Sequence, residues 1–385
     1  MEETRKTIGN ERTLVAISGG VDSTTCAILT FKAIGQNLLC VILDDAFMRE
    51  GEPQHIAQLV SKPPLNLPIR VLDVQERFLK ALEGLGDAEE KRKAFRETFY
   101  TVLGETAKNE KCRILVQGTI KADVVETTGG VKTQHNVLQQ MGIDTVKSYG
   151  FKVVEPLVSL YKEQVRMVAR TLGVPSEIAE RQPFPGPGLS VRVVGEIKRD
   201  KLDLEKKATT IVEQHFAEHV PSQYFAATLD TKESARPAGR LQETAARFLN
   251  VPSRHITLKV LEAKATGMKE GKRLYGGIAT VKAQTMDGGI HNPPVSNLVA
   301  LQTRITVEDP FLTRMLYAVK DKPEKKPYAV ALRAIQTLDY LTAAVSELPW
   351  TTLNRTADEI LKTCANVSAV YYDVTPKPPA TVEME

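Results

Sequence analysis

The stretch LVAISGGVDSTTCAILTFKAIG, Leu14–Gly35, joins an apolar run to a helical pattern through a turn of two glycines, two serines and one acid. The run TLVAI (13–17) reads as a buried strand, and the helix after the turn is expected to end near Ile34 with Gly35 as its C′ residue. Gly19 and Gly20 allow close backbone approach, Ser18 and Ser23 add hydroxyl donors, and the helix start offers free N–H groups at the positive end of its dipole. Such a turn holds phosphate. A tight strand-to-helix turn capped by Asp22 or Ser23 is the bland reading of the same residues. Neither the lysine of a G-x-x-x-x-G-K-[ST] loop nor a G-x-G-x-x-G dinucleotide fingerprint is present.

Outward from this turn, LLCVIL (38–43), IRVLDV (69–74) and RILVQG (113–118) read as further buried strands alternating with helical segments, which implies a parallel sheet covered by helices. Ligands bind at the carboxyl ends of such strands, where Asp44, Asp45, Gln117–Thr119 and the Ser18–Ser23 turn fall. After about Arg192 the pattern changes. VRVVGEI (191–197), HITLKVLEA (255–263), GGIATVKA (276–283) and YAVALRAI (328–335) read as strands among helices near 201–217, 238–249 and 352–364, an α+β arrangement. RQPFPGPGLSVR (181–192) reads as an ordered connector, and the domains are expected to span 1–190 and 191–385.

Composition excludes several classes. The 385 residues carry 51 Lys and Arg against 47 Asp and Glu, a balance of +4, too small to argue for a nucleic-acid partner. No run of about 18 apolar residues occurs, so no membrane helix is expected and a cytoplasmic location is. Cys26, Cys40, Cys112 and Cys364 are scattered, which favours buried free thiols over disulfides or zinc.

SGGVDS (18–23) resembles S-G-G-x-D-S, the pyrophosphatase loop (PP-loop) of N-type enzymes that split ATP into AMP and pyrophosphate. DAEEKRKAFRETF (87–99), LVQGTIKADVVET (115–127), VKTQHNV (131–137), VVEPLVSLYKEQVR (153–166), RQPFPGPGLSVRVVGE (181–196) and YDVTPKPPATVEME (372–385) resemble, in order, the ATP-pyrophosphatase part of GMP synthetases of the two-subunit, archaeal type. The resemblance implies a PP-loop adenine-nucleotide alpha-hydrolase-like α/β domain followed by an α+β domain for dimerisation and binding of xanthosine 5′-monophosphate (XMP). It also implies two steps: the XMP C2 oxygen attacks the α-phosphorus of ATP, then ammonia displaces AMP to give GMP. Mg2+ is the implied cofactor, and a homodimer the implied assembly. About twelve residues precede the first strand, so ammonia is expected from a separate glutamine amidotransferase subunit. A non-catalytic or regulatory paralogue of the same fold is the alternative.

Residue by residue, the resemblance places Ser18, Gly19, Gly20, Val21, Asp22, Ser23 and Asp44 around ATP, with Asp22 also on the metal. Asp123, Glu126, Lys132 and His135 match a lid that brings a cation to the reacting phosphate and excludes water. Arg92, Pro185, Gly186, Gln223, Lys377, Thr381 and Glu383 match the XMP site. Departures are visible: Gln134 stands for the first histidine of a His-His pair, Ala122 for a proline, Asp45-Ala46 for Asn or Thr followed by Gly, and Ser222 for Trp. Segments of about 231–262 and 286–330 are expected to lack a family counterpart. YGGIATVKAQT (275–285) and YAVALRAIQT (328–337) both resemble one family strand, V-A-L-R-x-x-x-T.

Overall fold

The aliphatic runs at 13–15, 38–43 and 114–116 become strands buried on both faces, as their lack of polar alternation requires, whereas 69–73, expected to be buried, is an edge strand with Arg70 and Asp73 exposed. The computed structural model describes residues 1–128, 142–338 and 340–385 and divides into two units, Met1–Leu82 with Arg92–Gly188, and Glu83–Lys91 with Leu189–Glu385. In the first, α1 (Glu2–Ile8) precedes β1 (Thr13–Ala16), α2 (Val21–Ile34) and β2 (Leu38–Asp44). Then come α3 (Glu52–Ser61), β3 (Ile69–Asp73), α4 (Gln75–Leu82), α5 (Ala88–Asn109), β4 (Ile114–Val116) and α6 (Lys121–Thr128). α7 (Thr145–Tyr149), β5 (Lys152–Val154), α8 (Lys162–Thr171) and α9 (Ser176–Ala179) complete it. All five strands are parallel, in the order β3-β2-β1-β4-β5. The expected α/β sheet is present. α2 ends where the sequence places its end: Gly35, at φ 60°, donates its N–H to Phe31 O. Connections leave β1 toward β2 on one side, while β4 lies on the other, so the loops after β1 and β4 meet at the topological switch point.

The second unit contains α10 (Arg199–Phe216), β6 (Gln223–Asp230), α11 (Gly239–Leu249), β7 (Ile256–Lys269), β8 (Lys272–Ala283), α12 (Val295–Glu308) and β9 (Leu312–Asp321). β10 (Tyr328–Gln336), β11 (Ala344–Val345), α13 (Trp350–Thr363) and β12 (Val367–Asp373) follow. The seven strands form one mixed sheet, β11-β10-β12-β9-β8-β7, with β6 also on β10. β7 and β8 are joined at Glu270 and Gly271, both at positive φ (49° and 74°), the backbone a two-residue hairpin needs. The four helices cover one face: Leu204, Ala245, Leu301 and Leu353 pack with Val330 and Leu332 of β10.

The period of two turns Ala329, Ala331 and Arg333 of β10 to the other face. There Arg314, Arg333 and Asp373 are fully buried, with Asp373 Oδ2 accepting from Arg314 Nη1 at 2.5 Å and Arg333 Nη1 at 2.8 Å. Burial alone would raise the Asp373 carboxyl, but Arg333 and Arg314 outweigh it and hold it below the usual carboxylate range. Both guanidiniums also hold the chain terminus, where Arg333 donates to Val382 O at 2.8 Å and both reach Thr381 O. Buried charge is tolerated when paired and hydrogen-bonded in this way. The tail is thereby pinned to the sheet rather than frayed.

One expected strand does not form. Residues 191–197 make a 3-10 turn at Gly188–Val191 and a single bridge, Val193 to Thr228. The carbonyls of Ser190, Val193 and Gly195 instead converge on the fully buried Lys91 Nζ at 3.2, 2.8 and 2.9 Å, and Glu385 pairs with the same ammonium. A buried cation takes the acceptors a neighbouring strand would have used, and Gly195, at φ 77°, turns the chain away.

Candidate functional site

In the first unit the Ser18–Ser23 turn is built by its own serines. Ser23 Oγ accepts from Ser18 N at 3.1 Å, lies 3.0 Å from Ser18 Oγ and donates to Gly20 O at 3.2 Å. Gly19 is at φ 78°, and a Cβ there would meet Ile56 at 3.0 Å, so the first glycine is required both by conformation and by space. Gly20 is the N-cap of α2, leaving Val21, Asp22 and Ser23 in its first turn. N–H groups, two hydroxyls and a helix dipole thus converge, an arrangement that attracts phosphate.

Asp22 sets the electrostatics. Its Oδ2 accepts from Lys162 Nζ at 2.5 Å, whereas Oδ1 is buried without a hydrogen-bond partner. Burial pushes the Asp22 carboxyl above its ordinary range; Lys162 pulls it back, Asp123 raises it further and Arg166 opposes. The site is therefore short of positive charge. Asp123 Oδ2 caps the start of α6 by accepting from Ile120 N at 3.0 Å. Asp44, half-exposed at the end of β2, has Gln54 Nε2 at 3.5 Å. Cys26 is buried behind the loop and donates its thiol to Gln117 O at 3.3 Å; burial pushes this thiol far up, so it is no nucleophile. All four cysteines are free and buried, as expected from their scatter.

Gly118 packs against this loop. A Cβ there would lie 2.9 Å from Asp22 C and Ser23 N and 3.0 Å from Asp22 O, all backbone atoms. Gly118→Ala is expected to displace the start of α2, costing about 1–3 kcal/mol and at least tenfold in pyrophosphate release. Thermal melting and a pyrophosphate assay check this; wild-type values in both would show that the loop yields freely.

Of the residues matched to XMP binding, Arg92 and Pro185 are half-buried and Gly186 is exposed in the first unit. In the second unit Gln223, Thr381 and Glu383 come together. Gln223 Nε2 donates to Glu383 Oε1 at 2.9 Å, and Thr381 Oγ1 donates to Glu383 O at 2.7 Å. Lys377 Nζ donates to Tyr340 O. Glu126 falls within α6, while Lys132 and His135 lie outside the described residues. Among the described residues no group of three or more His, Cys, Asp or Glu could hold a metal ion, and no helix is long and apolar enough to cross a membrane.

Sequence reasoning missed Lys162 and Arg192. Lys162 opens α8, whose start is fixed by Gln164 Oε1 accepting from Tyr161 N at 2.9 Å. Its position inside VVEPLVSLYKEQVR is a signal, but its partner is 140 residues away. Arg192 ends the proline-rich connector and reads as part of a strand; it grips Glu383 instead.

The NAD synthase family model matches residues 1–203, and the GMP synthase C terminal domain model matches 324–384. The second match contains β10 and not β8, so 328–337 is the stretch that lies within the family domain. Full-length relatives are B-type subunits of GMP synthase [glutamine-hydrolyzing]. That of Sulfurisphaera tokodaii is 41% identical over 99% of this chain and 96% of its own length. That of Saccharolobus solfataricus is 42% identical over 99% and 96%. That of Methanopyrus kandleri is 36% identical over 100% and 96%. By full-length identity above 40%, the chain belongs to the family of B-type subunits of GMP synthase [glutamine-hydrolyzing].

Proposed function

We propose that this chain converts XMP, ATP and ammonia to GMP, AMP and pyrophosphate through an adenylated XMP. The observation that carries the reading is the Ser18–Ser23 turn, a phosphate-shaped loop at the switch point of a parallel sheet in a chain of the GMP synthase family. In the first step the C2 oxygen of XMP forms a bond to the α-phosphorus while the bond to the bridging oxygen of pyrophosphate breaks. The turn's N–H groups and the α2 dipole hold the departing pyrophosphate, whose charge grows as that bond lengthens. In the second step ammonia bonds to C2 and loses a proton while the C2–O bond breaks, and AMP leaves carrying the oxygen that adenylation had made a good leaving group.

Mg2+ fits this site. It takes one or two carboxylates together with substrate phosphates, and the buried, unpartnered Asp22 Oδ1 is a carboxylate oxygen of that kind. When bound it would neutralise charge on the leaving phosphates. Lys162, on the other oxygen, fixes the carboxylate's direction. Arg92, Pro185, Gly186, Gln223, Lys377, Thr381 and Glu383 bind XMP in this reading, with Asp123, Glu126, Lys132 and His135 in a lid that keeps water from the adenylated intermediate. Ammonia comes from a separate glutamine-hydrolysing subunit, and the chain works as a cytoplasmic homodimer.

The test is an assay of the purified chain with XMP, ATP and magnesium, supplied with ammonium or with glutamine. GMP and pyrophosphate should form in equal amounts with ammonium, and no GMP with glutamine until the partner subunit is added. Absence of GMP with ammonium would sink the reading in favour of a non-catalytic paralogue.

A further inference from the structure

Glu383 is held from below. Arg192, 1% exposed, donates from Nε to Oε2 at 2.9 Å and from Nη2 to Oε1 at 3.0 Å, a two-pronged grip on a carboxylate that is itself only 12% exposed. The guanidinium lies on the face of Phe225, 4.1 Å from the ring centroid. Its direction is thus set on two sides. The carboxylate in turn orders Gln223, which is 3% exposed. A carboxylate can only accept, so the amide must face it with nitrogen, and the amide carbonyl oxygen then occupies the other branch. Behind the pair, Glu205 accepts from Thr209 Oγ1 at 2.9 Å and Thr228 Oγ1 at 2.8 Å. Burial pushes Glu205 up to about 8, so at neutral pH it is not a second anion competing for the guanidinium.

We propose that Arg192 is a positioning residue that locks Glu383 and Gln223 into an edge of hydrogen-bond acceptors, and that this edge selects oxopurine over aminopurine monophosphates by their ring N–H groups. The inference rests on the reading of Gln223 and Glu383 as XMP contacts. An oxopurine carries N–H donors on its six-membered ring; adenine carries a lone pair at N1, which would face the oxygens of this edge. A site that presents only acceptor oxygens rejects a ligand that turns a lone pair to it, because the facing lone pairs repel and no hydrogen bond replaces the one lost to water.

The experiment measures XMP and AMP binding by equilibrium dialysis, with steady-state kinetics, for wild type, Arg192→Lys, Glu383→Gln and the double variant. Arg192→Lys keeps the charge and loses the fork. It should weaken XMP binding about ten- to a hundredfold, narrow the preference for XMP over AMP, and leave the KM for ATP and the kcat at saturating XMP within about twofold. Because the two side chains act as a unit, the double variant should bind XMP no more weakly than the weaker single variant. Wild-type affinity and selectivity in a folded Arg192→Lys, or additive losses in the double variant, overturn the inference. Should Arg192→Lys fail to fold, Phe225→Leu removes the ring under the guanidinium and must give an XMP-specific loss of about two- to tenfold; none there overturns it equally. A wild-type chain that binds no XMP refutes the underlying reading instead, so the two failures are distinguishable.

Discussion

Asp22→Asn is expected to lower pyrophosphate release by about a hundred- to a thousandfold while leaving the melting temperature unchanged or higher. The two halves of this expectation have one cause. Burial raises the Asp22 carboxyl despite the Lys162 ammonium 2.5 Å away, so the ionised side chain is a cost to the folded chain, and a neutral amide of the same shape relieves that cost. The activity disappears because the same unpartnered Oδ1 is what the metal-nucleotide complex would neutralise. Groups that are costly in the free protein and needed in the loaded one are where stability and activity trade against each other. Thermal denaturation and a coupled pyrophosphate assay on the same preparation check the pair. Turnover near wild type would remove the loop from the mechanism. A melting temperature several degrees lower would show that Asp22 is a structural cap.

The N-terminal sheet is legible because its signals are local. Each of its first four strands is a short aliphatic run followed by a helical pattern, and the Ser18–Ser23 loop is written in six consecutive residues. β5 is not: at three residues, Lys152–Val154, it gives no pattern, and its register comes from β4. The second unit is legible in its helices, with three expected segments recovered as α10, α11 and α13. Its sheet is harder to read. β6, β9 and β12 carry charge or hydroxyls inside otherwise apolar runs, as at Arg314 and Asp373, and a buried arginine in a strand looks like a solvent-facing one until its partner is known. Lys91 shows the same limit from the other side. A lysine in a charged helical stretch reads as exposed, yet it is fully buried and it redirects the backbone of 190–195. The candidate site divides likewise. Gln223, Thr381 and Glu383 are matched by motif and do come together, whereas the cations that orient the acids, Lys162 and Arg192, depend on contacts 140 and 191 residues apart.

Glu205→Gln is expected to stabilise the folded chain at neutral and alkaline pH and to flatten its dependence on pH. Both oxygens of the Glu205 carboxyl accept from threonine hydroxyls, and the group is fully buried in α10 against β6. Burial raises it from 4.5 to about 8, with Thr228, Thr209 and Arg192 pulling it partly back. The folded chain therefore holds this proton between about pH 4.5 and 8, where the unfolded chain has released it, and stability must fall as pH rises through that window. The contribution is intact below 4.5 and lost above about 8. At about 1.4 kcal/mol per pH unit, the loss is on the order of 3–5 kcal/mol. Glutamine has the shape of the protonated acid, and the hydroxyl of either threonine can rotate to accept its N–H. Denaturant midpoints for wild type and Glu205→Gln at pH 5 and pH 9 decide the matter, because every other titrating group cancels in the difference. The variant should match wild type closely at pH 5 and exceed it at pH 9. An equal gap at both values would mean that Glu205 ionises inside the fold without cost, and that Thr209 and Thr228, rather than a proton, satisfy it.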